Sequence, residues 1–473
     1  MTQISILSGI TADASGDIRA SYPVNMIPVP KESGVSAGYL RTAEGIVRFD
    51  GGNPAVTGRG RGSILWNGTV YWVIGRSLVS IRDDGLMVVI GDVGDDGNDV
   101  TMIYSFDRLG IASNRRLYYL FNGALTQVTD SNLGDVIDVT WMDGYFITTD
   151  GSAIVVTELN DPTAVDPTKY GSSEANPDPI LGLIVIRQEL MALNRYTIEV
   201  FNDVGGAGFP FQRNPGAMIE KGSVGTKTFC RFDQVVAFMG SGSDEPCSVY
   251  LGAGGTATKI ATREIEDIIG EYSELELSRS VVNYRMNRKH QNLVVHLPRH
   301  TLVYDAAATL VMSTPVWYTL SSSIDLTKAL QGRHFLFAYG KWLIDDVVQP
   351  RIGELKDDIF TQYGNDVGWR FDTLLVFNEA KSAIVHSLEL TGTPGHAQLN
   401  SDPCCFLSWT QDGETWGDER MISLGRQGRR SKRVAYRPKI KMENLMSFRY
   451  RGANASIVSF MRLDAELEGL ANG

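Results

Sequence analysis

The sequence predicts an all-β protein, built as a β-propeller of six or seven blades followed by a C-terminal antiparallel β-sandwich. Three observations support this prediction. Short apolar and aromatic runs alternate with Asn-Gly and Asp-Gly turns. Units of this kind recur roughly every 35–50 residues, which is the period of propeller blades. After Trp369 the strand pattern continues, but the blade pattern stops.

Proline and glycine punctuate the first part of the chain, which shows no blade pattern and predicts a mostly extended segment. We expect this segment to pack on the propeller of its own subunit or on a neighbouring subunit. The predicted bounds are 1–60 for the extended segment, 61–368 for the propeller and 369–473 for the sandwich.

Seven units of apolar runs and tight turns follow from about residue 62. The hairpin turns of the first three units are Asn67-Gly68, Asp84-Gly85, Asn122-Gly123, Asp143-Gly144 and Asp150-Gly151. Later units begin near Leu181, Lys227, Val281 and Lys328. Three or four short strands per unit match propeller blades, and six blades remain possible if the last unit is a linker.

The sixth unit shows the strand pattern most clearly, over residues 293–318. Apolar residues flank His296, Pro298 interrupts them, and Leu302–Tyr304 resume the pattern, so successive antiparallel strands are predicted. The small residues Ala306–Ala308 predict the turn between two of these strands.

A helical insertion is predicted between the fifth and sixth units. Ile265, Ile268 and Ile269 recur at helical spacing, and Ser273 with Glu276 matches a capping box for a second short helix. We expect these helices to connect blades at one edge of the propeller.

The charge is unevenly distributed along the chain. The net charge is −11, yet residues 420–451 carry eleven Lys or Arg against the single acid Glu443, which gives +10 there and −21 elsewhere. The acidic total argues against a general nucleic-acid binder. The first residues lack the pattern of a signal peptide, and no apolar run is long enough for a membrane span, so neither is predicted.

No catalytic, cofactor-binding or metal site is predicted. The sequence contains no serine-hydrolase, zinc-protease, Walker or dinucleotide motif, and its four cysteines suit neither a disulfide framework nor a zinc site. Pro298 lies between His296 and His300 and excludes a helix that would turn both toward one metal. Hydrogen-bonded interface histidines are therefore favoured for this pair.

Two other motifs are interpreted as structural. The glycine-rich Gly58–Gly62 lacks the Lys-Ser/Thr of a phosphate loop and is expected to be a flexible entry to the first blade. An acidic loop with Asp92, Asp95, Asp96 and Asp99 resembles a calcium loop in composition but lacks the EF-hand pattern, so a solvated turn is favoured.

The basic run near residues 426–441 is the strongest signal for a partner. In a strand, Lys432, Val434 and Tyr436 would share one face, and Arg433 and Arg437 would lie on the other. An interface to an acidic protein partner is favoured, while a solvated face and contact with DNA phosphates remain open alternatives.

A series of motifs also carries a family resemblance. In chain order they are Pro23-Val24-Asn25-Met26, Pro30-Lys31-Glu32, Gly38-Tyr39-Leu40-Arg41, Gly45-Ile46, His296-Leu297-Pro298-Arg299-His300, Val303-Tyr304-Asp305-Ala306, Gln362-Tyr363-Gly364 and Asp412-Gly413 near Met421. Through them the chain resembles the packaged-DNA stabilisation protein, also called the tail hub or nozzle protein, of short-tailed bacteriophages.

The resemblance implies a structural virion protein rather than an enzyme. It implies six copies in a ring below the portal and its adaptor ring, a tail needle that plugs the ring, and tailspikes attached outside. Such a ring closes the head after packaging and later lets the genomic DNA pass without specific binding. It would be assembled in the host cytoplasm, with no cofactor and no membrane anchor.

Two other classes remain as alternatives: a propeller that binds or cleaves glycans, and a monomeric cytoplasmic scaffold. A cluster of carboxylates and aromatic residues at one end of the propeller would indicate the glycan class. The candidate interface residues are Pro23, Asn25, Met26, Lys31, Tyr39, Arg41, Arg429, Arg430, Lys432, Arg433, Arg437 and Lys439.

Overall fold

The computed structural model describes most of the chain. The described residues are 2–7, 9–12, 18–31, 36–159, 161–206, 208–287, 290–378, 381–397, 399, 401–453 and 456–470. Within these ranges the protein is almost wholly β-structure, as the sequence predicts.

Six short strands precede the first blade. They are β1 (Thr2–Ile4), β2 (Gly9–Ala12), β3 (Ile18–Ser21), β4 (Met26–Pro30), β5 (Gly38–Thr42) and β6 (Gly45–Arg48). Strands β2 and β3 form a hairpin with each other. Strand β4 pairs with β5, whereas β1, β5 and β6 pair with strands that come much later in the chain.

The first three blades follow in order. The first contains β7 (Gly60–Trp66), β8 (Thr69–Ile74), β9 (Ser77–Ile81) and β10 (Met87–Asp92). The second contains β11 (Thr101–Tyr104), β12 (Arg108–Ser113), β13 (Arg116–Phe121) and β14 (Ala124–Gln127). The third contains β15 (Asp138–Met142), β16 (Tyr145–Thr149) and β17 (Ile154–Val156). Asn67, Asn122 and Asp143 have φ near +48°, since they occupy the tight hairpin turns predicted for them.

Four more sheets complete the series. The fourth blade contains β18 (Ile180–Ile186), β19 (Glu189–Asn194), β20 (Ile198–Asp203) and β21 (Phe211–Arg213). The fifth contains β22 (Gly222–Ser223), β23 (Phe229–Phe232), β24 (Val235–Ser241), β25 (Ser248–Ala253) and β26 (Thr256–Lys259). The sixth contains β27 (Val281–Asn287), β28 (His290–His296), β29 (Thr301–Asp305) and β30 (Trp317–Leu320). The seventh contains β31 (Phe335–Ala338), β32 (Lys341–Asp345) and β33 (Ile352–Lys356), and β6 is its fourth strand.

The inner strands of the seven blades form a closed ring. Strands β7, β11, β15, β18, β23, β27 and β31 contact one another in this order, and β31 contacts β7. At the closure Trp72 of the first blade packs with Leu343 and Ile352 of the seventh. The unit near Lys328 is therefore a blade and not a linker, and its outermost strand comes from the N-terminal segment.

Helices are few and short. α1 (Arg263–Gly270) and α2 (Glu274–Ser278) form the predicted insertion, and the predicted capping box between Ser273 and Glu276 is present. Two 3-10 helices lie at Pro167–Lys169 and Pro215–Ala217.

The turn predicted at Ala306–Ala308 is wrong. These residues begin α3 (Ala306–Met312), where the Asp305 side chain accepts a hydrogen bond from the backbone N–H of Ala308. Consecutive alanines favour helix, and an aspartate cap satisfies an otherwise free N–H, so a short helix forms between two strands.

The C-terminal part is the predicted antiparallel sandwich. Its strands are β34 (Trp369–Asp372), β35 (Val376–Phe377), β36 (Ala383–Gly392), β37 (Cys404–Thr410), β38 (Arg420–Ser423), β39 (Val434–Tyr436), β40 (Ile440–Met442), β41 (Leu445–Gly452) and β42 (Ser459–Gly469). One sheet has the order β34-β41-β37-β38, with β35 also on β41; the other has the order β39-β36-β42-β5-β4, with β1 on β42 and β40 on β36.

The sandwich core contains residues from both ends of the chain. Met26 and Leu40 of the N-terminal segment are fully buried with Trp369, Phe371 and Tyr450. The segment 1–60 therefore contributes strands to both the sandwich and the propeller of the same chain.

Candidate interaction surfaces

Asn25 lies at the junction between propeller and sandwich. Its side-chain amide donates to the carbonyls of Ser321 (2.9 Å) and Gly368 (2.7 Å), and its side-chain oxygen accepts from the backbone N–H of Ser321 (2.9 Å). Its φ is +53°, a left-handed conformation that asparagine tolerates better than most residues. The residue therefore joins the end of the sixth blade to the start of the sandwich.

The neighbours of Asn25 are also enclosed by the chain itself. Pro23 is buried, and its carbonyl accepts a hydrogen bond from the backbone N–H of Thr319 (2.9 Å). Met26 is fully buried in the sandwich core. Because Pro23, Asn25 and Met26 present almost no surface, their contacts in this structure are within the chain.

The next three candidates are more accessible. Lys31 is exposed and its ammonium lies 5.2 Å from the centre of the Tyr39 ring, a cation–π distance. Arg41 is partly buried and pairs with Asp357 at 2.6 Å. Lys31 and Tyr39 therefore remain interface candidates, whereas Glu32 of the same motif lies outside the described residues.

The basic run forms an exposed turn followed by the short strand β39. Arg429 and Arg430 are exposed in the turn, and Lys432 is partly exposed beside it. Val434 and Tyr436 point into the core, so the predicted alternation holds within the strand. Lys432 precedes the strand and does not share its inward face.

The remaining cations of the run differ in their pairing. Arg433 makes a two-point ion pair with Glu389, with N–O distances of 2.7 and 2.5 Å. Arg437 and Lys439 are exposed, as are Arg429 and Arg430. The structure thus brings together Arg429, Arg430 and Lys432 as one basic turn.

A groove of about 190 Å³ lies beside the basic turn. Strand β39 pairs only with Leu388–Leu390 of β36, so the end of β36 borders an open slot. Its apolar lining includes Leu424, Val434 and Phe460, and Arg430 and Lys432 lie at its edge.

A second site lies at the propeller axis, where three blades meet. Lys227 before β23 lies 3.8 Å from the carboxylate of Asp138, the first residue of β15. Both side chains also hydrogen-bond to Thr101, the first residue of β11. The backbone N–H of Leu183 in the fourth blade donates to Asp138 at 2.8 Å. Side chains of non-adjacent blades therefore meet across the axis.

The same end of the propeller holds a second group of charges. Asp99 pairs with Arg59, and the guanidinium of Arg333 lies 3.7 Å from it. The imidazole of His334 is 4.0 Å from Asp99 and forms a 2.6 Å hydrogen bond with Asp345. These residues link the first, second and seventh blades beside a cavity of about 770 Å³.

Burial and pairing shift the pKa values of these groups. Burial raises the pKa of the Asp138 carboxyl, although Lys227 opposes the shift. Burial lowers the pKa of Lys227, although Asp138 and Asp99 oppose that shift. For Asp345 burial acts upward, but the charge and hydrogen bonds of His334 and nearby backbone N–H groups give a net lowered pKa.

The two histidines of the sequence motif have different environments. His300 exchanges a 2.6 Å hydrogen bond with the hydroxyl of Tyr272. His296 is buried, and neither ring nitrogen has a hydrogen-bond partner among the residues that the structure describes. Burial lowers the pKa of His296 to about 3. The predicted hydrogen-bonded pair is therefore wrong for His296, because the strand β28 turns its ring into the interior beside Phe335.

The glycine-rich segment Gly58–Gly62 contacts the acidic loop that contains Asp95, Asp96 and Asp99. Arg61 is 1% exposed and donates to the carbonyls of Asn98 (2.5 Å), Gly75 (2.9 Å) and Gly94 (2.8 Å). It also pairs with Asp96 at 3.0 Å. The prediction of a flexible entry is therefore wrong, because Arg59 and Arg61 anchor that segment to the loop. The loop itself is largely the solvated turn that was predicted, since Asp92, Asp95 and Asp96 are exposed, and only the side chain of Asp99 is buried, in its ion pair with Arg59.

No metal or disulfide site is found among the residues that the structure describes. No group of three or more His, Cys, Asp or Glu is placed to hold a metal ion there. The four cysteines form no disulfide in the described part of the chain, and burial raises the pKa of Cys247 to about 12.

One end of the propeller carries exposed apolar side chains. The hairpins that join the first and second, or third and fourth, strands of the blades meet at this end. Phe106 in the β11–β12 hairpin is 91% exposed, and its ring packs edge-on against Trp141 at 5.5 Å. Other exposed apolar residues at this end include Leu86, Leu159, Val204, Leu310 and Phe337.

Acidic groups surround this apolar surface. Asp143 follows the strand of Trp141, and burial and the neighbouring Asp203 raise its pKa. Two carboxylates that repel each other favour a cation between them. Asp107 lies next to Phe106 and pairs with Arg108 at 2.8 Å.

Sequence reasoning missed the axial charges and the Phe106 surface. Asp138, Thr101 and Lys227 are far apart in sequence and become neighbours only when the ring closes. The sequence signal that could have identified these three residues is that each lies at, or just before, the inner strand of a blade. Phe106 stands in a Ser-Phe-Asp-Arg hairpin, where an aromatic residue has no core to fill.

The fold and its surfaces define a class of protein: a seven-bladed propeller with an appended sandwich, a blocked axis and charged outer surfaces suited to assembly. Residues 2–360 match a family model described as the β-propeller of bacteriophage P22 Gp10, and residues 368–468 match the β-sandwich of the same protein. The chain belongs to the bacteriophage P22 Gp10 family. This membership confirms the predicted structural protein of a phage tail, located in the virion.

Similarity to a known relative extends over almost the whole chain. The tail hub protein gp10 of Salmonella phage P22 is 30% identical over 490 aligned positions, which cover 98% of this chain and 99% of the relative. Among solved structures, the Neurospora crassa Pan2 WD40 domain has a TM-score of 0.42 at 9% identity, covering 67% of this chain and 95% of that one. The N-terminal domain of Nup159 has a TM-score of 0.40 at 9% identity, covering 69% of this chain and 98% of that one.

The helices in the described part of the chain are all too short or too polar to cross a membrane.

Proposed function

We propose that this protein is the hub of a phage tail, in which several copies surround a conduit that retains packaged DNA and later releases it. The observation that carries the proposal is the match of both domains, over 98% of the chain, to a tail hub protein. A hexameric ring with an adaptor ring, a tail needle and tailspikes as neighbours is part of the same proposal. The role is structural and not enzymatic.

The geometry of the propeller axis supports a conduit between copies. Lys227, Asp138 and Thr101 of three different blades contact one another at the axis. A DNA duplex is wider than its major groove, which is itself about 12 Å wide. A duplex therefore cannot pass along a propeller axis at which side chains contact one another. A DNA passage therefore requires a ring of subunits, with the propellers as its wall.

The charge distribution supports passage without specific binding. Outside residues 420–451 the chain has a net charge of −21, which repels phosphates and lets DNA slide. The basic turn is free to contact an acidic protein neighbour. A conduit lined mainly by Lys and Arg in the assembled ring would contradict this orientation.

The cluster expected for the glycan class, aromatic residues with carboxylates at one end of the propeller, is present at Phe106, Trp141 and Asp143. The match to a tail hub protein over 98% of the chain nevertheless favours the structural role over the glycan-binding or glycan-cleaving alternative. The cytoplasmic scaffold predicts a monomer without a ring partner. Sedimentation of the purified chain and of disrupted particles distinguishes these classes, since only the hub is found in particles as a ring.

Nuclease-protected DNA per particle tests the proposal. Particles are packaged in cells that make the wild-type protein, no protein, or the wild-type protein supplied from a plasmid. Equal DNA immediately after packaging, followed by loss only without the protein, is the expected result. Unchanged retention in its absence would show that the chain does not close the head.

A further inference from the structure

The groove beside the basic turn suits an apolar side chain flanked by acidic groups. The groove is lined by Leu424, Val434 and Phe460, which are only 2–4% exposed, and by the more polar Thr391 and Thr393. Arg430 and Lys432 also line it, as does the ion pair between Arg433 and Glu389. The slot exists because β39 stops pairing at Leu390, so the backbone at the end of β36 has no neighbouring strand on that side.

The size of the groove admits an aromatic ring. A cavity of roughly 150 Å³ with apolar walls holds a benzene molecule. The groove measures about 190 Å³, a volume comparable to that of a phenyl group's cavity. A cationic edge would also favour an aromatic face through cation–π attraction.

The apolar end of the propeller offers a matching group on the same chain. Phe106 is 91% exposed and is held against Trp141, so little side-chain entropy is lost when it binds. Asp143 directly follows the strand that carries Trp141, and both Asp143 and the neighbouring Asp203 are exposed. Neither carboxylate forms an ion pair with a cation in the part of the chain that the structure describes. The basic turn supplies Arg429 and Arg430, exposed cations for which the described contacts include no carboxylate.

We propose that Phe106 of one copy inserts into the sandwich groove of a second copy, with Arg430 facing Asp203. The Phe106 surface and the groove are different patches, and each copy carries both. The same contact can therefore repeat from one copy to the next and close into a ring. A second copy is the occupant because one chain carries both an acidic apolar surface and a basic apolar groove. This inference rests on the proposed function in one respect, since it assumes that several copies of the chain form a ring.

Cross-linking in intact particles tests the contact directly. Ser105→Cys and Ser431→Cys place thiols beside Phe106 and beside the groove. In a background that carries Cys404→Ser, a short bis-maleimide is expected to give a ladder of covalent multimers when both introduced cysteines are present, and none with either alone. Ser105→Cys with Lys328→Cys is the matched control, since Lys328 is exposed away from the groove.

Assembly of purified variants tests the residues. Phe106→Ala is expected to weaken self-association about 10- to 100-fold, because a phenyl group loses its burial. Leu310→Ala removes an exposed apolar residue at the same propeller end and is expected to assemble as wild type. Arg430→Glu and Asp203→Lys should each weaken the ring, and the two together should restore it.

The outcomes separate this contact from the proposed function. Absence of the ladder, or cross-linking of the groove to another virion protein, would overturn the contact. Normal rings with Phe106→Ala would do the same, even if particles lacking the protein leak DNA. If Phe106→Ala abolishes rings and yet particles retain DNA, the contact stands and the closure role fails.

Discussion

Lys227 of the fifth blade and Asp138 of the third lie 3.8 Å apart across the propeller axis. Burial disfavours the charged form of each side chain, and each opposes the shift of the other. The pair therefore depends on both members, and loss of one leaves an unbalanced charge inside the ring.

Asp138→Asn is expected to reduce the free energy of unfolding by about 3 kcal/mol, because Lys227 then lacks its counter-charge. The double variant Asp138→Asn with Lys227→Met removes both charges and should be more stable than the single variant. Urea unfolding measures both. Equal stability of the single and double variants would show that the two charges do not interact.

His296 is expected to make stability depend on pH. Its folded pKa is about 3, whereas the unfolded value is about 6.5, so the unfolded chain binds a proton that the folded chain excludes. Stability contributed by neutral His296 is present above pH 6.5 and is lost as pH falls toward 3, by about 1.4 kcal/mol per pH unit.

Replacing the buried imidazole with an apolar ring removes this dependence. His296→Phe is expected to flatten the fall in unfolding free energy between pH 6.5 and pH 4 relative to wild type. His386→Gln, which removes a partly exposed histidine paired with Glu468, serves as the comparison variant. An unchanged pH profile for His296→Phe would contradict the buried, unpaired state.

Asn25→Ala is expected to destabilise the protein by about 3 kcal/mol, because buried carbonyls of Ser321 and Gly368 lose their donors. Asn25→Gly loses the same bonds but accepts the left-handed backbone, and should be about 1 kcal/mol more stable than Asn25→Ala. Calorimetry is the measurement. A single unfolding transition in wild type that splits in both variants would show that Asn25 couples the two domains.

Arg61→Lys is expected to cost about 3 kcal/mol, since an ammonium cannot reach the carbonyls that the buried guanidinium satisfies. Hydrogen exchange should increase at the amides of residues 93–99, which Arg61 holds. Arg82→Lys alters a 60% exposed side chain and should change stability by less than about 0.5 kcal/mol. Protection of the loop equal to wild type in Arg61→Lys would refute the anchoring role.

Local patterns in the sequence predicted the repeating parts of the fold. Asn-Gly and Asp-Gly turns indicated the blade hairpins, and the Ser273–Glu276 capping box indicated α2, since both depend on neighbouring residues. The family motifs indicated a tail protein, which the family match confirms.

Long-range relationships were beyond the reach of those patterns. Strand β6 is four residues long and gives no sign that it pairs with β33, some 300 residues later. Asn25 belongs to a recognisable motif, but its hydrogen bonds to Ser321 and Gly368 appear only when both domains are folded. The axial charges come together only when the ring of blades closes. The groove beside β39 forms only where that strand ends.

The pairing of early strands with late ones has a consequence for synthesis on the ribosome. Strands β5 and β6 emerge early, but β33, the partner of β6, emerges after almost all other blades, and β42, the partner of β5, emerges at the end of translation. Neither domain can complete its sheets until then, so the nascent chain holds unpaired strand edges for most of its elongation. Completion of both domains is thereby delayed until almost the whole polypeptide has been synthesised.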